Sequence, residues 1–70
     1  MDNIINKIND DIREIQINPC YEVSLIGRSI YLHFRSIVRL YEDESISKNR
    51  IIELGVQIKL MRKYLNKENK

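Results

Sequence analysis

The chain has 70 residues and a mass of 8.4 kDa, room for one domain and no second core. Hydrophobic residues make up 43% and charged residues 31%, a globular balance that excludes wholesale disorder, and a net charge of +2 is too small to mark a polyanion binder by itself. One Cys excludes an internal disulfide, one His without a Cys/His cluster leaves no metal site, and no apolar run approaches the roughly 18 residues of a membrane span.

Three stretches show helical periodicity. Met1, Ile5, Ile8, Ile12 and Ile15 are spaced 4, 3, 4 and 3, which puts them on one narrow seam. Asp2 can cap the start, and Asn6, Lys7, Asn9, Asp10, Asp11, Arg13 and Glu14 supply a solvated back. The first helix is expected over residues 2–16. Ile17-Asn18-Pro19 then reads as stop and start together: proline suits the first turn of a helix, with Asn18 as its cap.

The second helix is expected over residues 19–42. Its main stripe is Val23, Ile26, Ile30, Phe34, Ile37 with Val38, and Tyr41; a looser one holds Tyr21, Leu25, Leu32 and Leu40. Gly27 costs about 1 kcal/mol against Ala in a helix interior, and marks a kink or a close helix contact. Glu42-Asp43-Glu44-Ser45 is a polar turn. The third helix is expected over residues 48–67, with Ser47 as cap and Ile46 and Ile51 placed as a hydrophobic staple. Its seam is Ile51, Leu54, Ile58, Met61 and Leu65, beside a second row of Ile52, Val56, Leu60 and Tyr64. Residues 66–70 read as a frayed tail, and no segment alternates with the period of a strand. The fold class is all-α, a single helical domain over residues 1–70.

Helices two and three each carry two apolar rows, more than one small three-helix core requires. A 70-residue chain also has little interior to set against the entropy of ordering it. Pairing two chains answers both problems, so a homodimer is expected, a two-fold bundle built on helices two and three through Ile30, Phe34, Ile37, Leu54, Ile58 and Met61. The competing reading packs the second rows inside a tight monomer. Charge is divided along the chain: residues 1–27 hold five acids and two bases, net −3, while residues 45–70 hold seven bases and two acids, net +5. Lys59, Arg62, Lys63 and Lys67 can compensate Asp10, Asp11 and Glu14 if helices one and three lie side by side and parallel, in an up-down-up chain or by exchange between subunits.

Chemistry-bearing motifs are few. Cys20 follows the proline at a helix start, where the dipole can lower a thiol pKa, but the only His is 13 residues away and a structural thiol is preferred. His33 suits a core edge or an interface equally. Asp10-Asp11 and Glu42-Asp43-Glu44 read as surface and turn, and phosphate loops, nucleophile elbows and Ser/His/Asp sets are absent. No enzyme, cofactor or metal is expected.

Nucleic-acid binding is the alternative reading, through Arg35, Arg39, Lys59, Arg62 and Lys63 on the basic faces of helices two and three. A helix-turn-helix pattern fits poorly around Gly27. Around Gly55 it fits better, but no turn breaks that helix. The mixed signs of the polar faces and the absence of Trp argue against a membrane surface.

At Phe34-Arg35-Ser36-Ile37-Val38, followed by Ile46-Ser47-Lys48-Asn49, the chain resembles the YvfG family of small Bacillus proteins. That family carries an aromatic-Arg-Ser-aliphatic-Val segment and, at the same interval, Leu-Thr-Lys-Asn opening a last helix. The match spans 34–49 firmly and the rows from Ile52 to Tyr64 with a one-residue slip; helix one and the Asn-Pro turn are not shared. The resemblance implies a homodimeric helical protein without an assigned activity, and transfers no site residues. The reading from sequence is a small bacterial or phage protein of the cytoplasm, a non-enzymatic interaction or regulatory module that self-associates and binds a protein partner.

Overall fold

A computed structural model describes residues 3–67 and consists, over those residues, of three α-helices: α1 (Asn3–Gln16), α2 (Tyr21–Glu42) and α3 (Lys48–Lys67). The chain runs up, down and up, giving a body of 39 × 17 × 17 Å. Met1 and Asp2, expected on the first seam and at its cap, lie outside the described residues, as do residues 68–70.

The seam of α1 does what its 3–4 spacing dictates. Ile8, Ile12 and Ile15 are buried, and Ile4 and Ile5 pack partly against the same core. Phe34 from α2 and Ile51 and Ile58 from α3 complete that core, with Ile30, Ile37, Val38, Tyr41, Ile46 and Leu54 around it. Ile46 and Ile51 therefore both reach the core from the staple positions. The rest of the expected core rows is only half realised: Ile26 and Met61 are each 41% exposed.

Glycine explains how α1 comes so close to both neighbours. A Cβ on Gly27 would stand 2.8 Å from the backbone nitrogen of Gln16 and 3.0 Å from Ile15 Cγ2. One on Gly55 would stand 2.7 Å from Ile8 Cδ1. Gly27 thus marks a close contact, the second of the two readings its sequence position allowed. In consequence α1 lies against α2 and α3 along its length, while α2 and α3 touch each other sparsely.

The first turn departs from expectation. α2 begins at Tyr21, two residues past Pro19, because Cys20 is still extended at φ −75° and ψ 118°; Asn18 nonetheless makes the capping contact expected of it, its Oδ1 accepting the Cys20 N–H at 2.9 Å. Cys20 is the residue before the helix and makes no side-chain cap. Ser24 Oγ donates to the Gln16 carbonyl at 2.7 Å, satisfying an acceptor at the C-terminus of α1. Asn18 Nδ2 also donates to Asn66 Oδ1 at 2.7 Å, so Asn66, expected to open a frayed tail, is helical and tied to the turn.

α2 ends in a Schellman motif. The Ser45 N–H bonds to the Leu40 carbonyl at 2.8 Å and the Glu44 N–H to the Tyr41 carbonyl at 3.0 Å. The left-handed position this requires is held by Glu44, at φ 61°, where glycine is the usual occupant. At the start of α3 the Ser47 carbonyl accepts the Arg50 N–H at 3.1 Å.

Candidate functional site

The sparse contact between α2 and α3 leaves a groove between them. Ser29, Ile30 and His33 of α2 border it on one side and Leu54, Gln57 and Met61 of α3 on the other, over a floor of Phe34 and Ile58. No residue of α1 lines it. Along the same helix pair it continues to Ile37, with Arg50 and Glu53 at its edge. Among titratable side chains the groove therefore meets one imidazole, one guanidinium and one carboxylate, and its walls are otherwise apolar or neutral.

All six residues expected to mediate self-association fall on this helix pair, but with different roles. Phe34 and Ile58 are buried in the chain's own core and support the floor. Ile30, Ile37 and Leu54 are half-buried, and Met61 is exposed. His33, which from sequence suited a core edge or an interface, sits at the groove's rim; what the sequence missed is Gln57 beside it, whose spacing does not distinguish it from a solvated position.

Outside the groove, the second rows stay in water. Leu32 is 63% exposed on α2, and Leu60 and Tyr64 are 61% and 66% exposed on α3. Ile17 and Tyr21 are also exposed.

The basic residues are not gathered into one face. Arg62 is spent within the bundle: its Nε lies 2.9 Å from Asp11 Oδ1 and its Nη1 3.5 Å from Glu14 Oε1. The Nε proton is not aligned on an acceptor, so the Asp11 contact is an ion pair rather than a hydrogen bond. This is the compensation expected of parallel first and third helices. Lys59 borders a shallow groove against α1 that also contains Asp10 and Asp11. Lys63 is exposed, and Arg35 and Arg39 stand on the surface of α2 with Leu32 and Ser36. Cys20 is partly buried in the first turn as a free thiol. Among the described residues no three His, Cys, Asp or Glu converge on a point where a metal could sit, and no helix is long and apolar enough to cross a membrane.

Comparison with protein-family models, with curated proteins and with solved structures gives no match for this chain.

Proposed function

We propose that the protein is a self-associating helical interaction module, and that two copies pair through the groove between α2 and α3. The observation that carries this reading is the groove itself: α2 and α3 touch each other sparsely, α1 contributes nothing to its lining, and the exposed Met61 stands beside Ile30 and Leu54 over the buried Phe34 and Ile58.

A second copy is the occupant that fits the groove. Face to face, two such helix pairs form a four-helix layer in which Ile30, Leu54 and Met61 of each copy fill the space above the other's Phe34 and Ile58. Each α1 then stays on the outside of the pair. Two-fold pairing of identical apolar faces needs no charge complementarity, which the nearly neutral groove does not offer. The homodimer implied by the YvfG resemblance points in the same direction.

Light scattering on the purified protein at tens of micromolar tests the proposal. A mass of twice 8.4 kDa is expected. Met61→Lys, a change at an exposed position, is expected to yield a helical monomer. A wild-type chain that runs as a monomer at that concentration refutes the reading.

A further inference from the structure

The groove leaves one organised surface unused. Leu25, Arg28, Leu32, Arg35 and Arg39 step along α2 by three, four, three and four residues. They form a single line about 21 Å long, at 1.5 Å of rise per residue. All five are exposed. None of the three arginines has an acidic partner among the described residues, where both ion pairs belong to Arg62. The acids of α2, Glu22 and Glu42, stand at its two ends. Arg35 and Arg39 lie one turn apart and repel each other. The Ser36 hydroxyl beside them bonds to the Leu32 carbonyl at 3.3 Å, so it is already occupied.

We propose that this line docks an acidic amphipathic helix of another protein, one with aliphatic residues at the same three-four spacing and carboxylates flanking them. Three unpaired guanidinium groups call for carboxylate or phosphate oxygens, which they bind in a two-pronged geometry that lysine cannot match. The leucines choose between these anions. A phosphate backbone has no aliphatic surface to set against Leu25 and Leu32, whereas a helix laid along the line covers both and brings its flanking carboxylates to the arginines. The line is one helix wide, which suits a helix better than the plane of a lipid surface. The proposal rests on the interaction-module reading but uses none of the groove residues, so a dimer presents the line twice.

Fluorescence anisotropy tests it, with the full chain titrated into a labelled synthetic helical peptide carrying Leu at three-four spacing and Glu on both flanks. The comparison probes are a scrambled peptide of the same composition, a DNA duplex and phosphatidylglycerol vesicles. The patterned peptide is expected to bind about tenfold or more tightly than the scrambled one. Arg35→Glu with Arg39→Glu is expected to weaken it by about tenfold or more, and Leu32→Asn, which keeps every charge, by a smaller factor. Circular dichroism verifies that the variants keep their helices. Equal binding of the scrambled peptide, indifference to the arginine reversals, or tighter binding of duplex or vesicles overturns the proposal. Titrating Met61→Lys alongside separates the two readings: loss of the dimer with the peptide still bound refutes neither, and a wild-type monomer that binds the peptide sinks only the groove.

Discussion

Replacing Gly27 by Ala tests the close approach of α1 to α2. In an unconstrained helix interior the change is favourable by about 0.8–1.0 kcal/mol, because alanine loses less backbone entropy on folding. Here the new methyl meets the Gln16 backbone nitrogen at 2.8 Å and two side-chain carbons at 3.0 Å. A backbone atom cannot rotate away, so α2 must withdraw from the end of α1, past the Ser24–Gln16 hydrogen bond. Overpacking of this kind costs about 1–3 kcal/mol, and strain on that hydrogen bond adds up to about 1 kcal/mol. The net expectation is a loss of about 0–3 kcal/mol centred on about 1.5 kcal/mol, which at the centre is about 6–12 °C in Tm for a domain of this size.

Gly55→Ala is the internal control. It carries the same propensity gain, and its methyl meets only side-chain atoms of Ile8, at 2.7 and 2.8 Å. Ile8 can move its terminal carbons, so this variant should lose about 1 kcal/mol less than Gly27→Ala. Thermal and urea melts by circular dichroism, run at one fixed protein concentration because a dimer's stability depends on it, measure both. A Gly27→Ala chain at least as stable as wild type, or no more destabilised than Gly55→Ala, refutes the contact argument.

Two further expectations concern single positions. Asp11→Asn should cost about 1 kcal/mol and Glu14→Gln no more than about half of that, because the Asp11–Arg62 pair is sheltered on both sides while the Glu14 carboxylate is half exposed; urea melts at low and high salt check the order, and equal losses would contradict it. Glu44→Gly should raise Tm by a few degrees, since a non-glycine residue at φ 61° carries about 1 kcal/mol of strain or more, and a lowered Tm would show that the Glu44 side chain contributes something its backbone does not reveal.

Element by element, the helices were legible because their apolar spacing is strict. The end of α2 at Glu42 and the span of α3 follow from the polar turn and the seam beginning at Ile51. Charge offered a parallel α1 and α3 within one chain beside an exchange between subunits, and the Arg62 pairs with Asp11 and Glu14 realise the first; that much was legible. The extended Cys20 that delays α2 to Tyr21 was not, although the Asn18 cap was, and neither was the long-range bond from Asn18 to Asn66. Nor was the positive φ at Glu44, which falls on a residue type with no preference for it. Sequence placed Ile26 and Met61 on core rows. Their exposure follows from how far α2 and α3 stand apart, which depends on α1 wedging into two glycine notches. The six candidate self-association residues were found as a set, but the division into floor and walls needed the third dimension.

That wedge makes the three helices unequal partners. α1 grips both neighbours, through Gly27 against Ile15 and Gln16 and through Gly55 against Ile8, whereas α2 and α3 touch each other sparsely. Cutting α1 away therefore removes the keystone: the remaining hairpin loses most of its shared interior and falls open, while a hairpin of α1 and α2 keeps the most extensive packed face of the bundle.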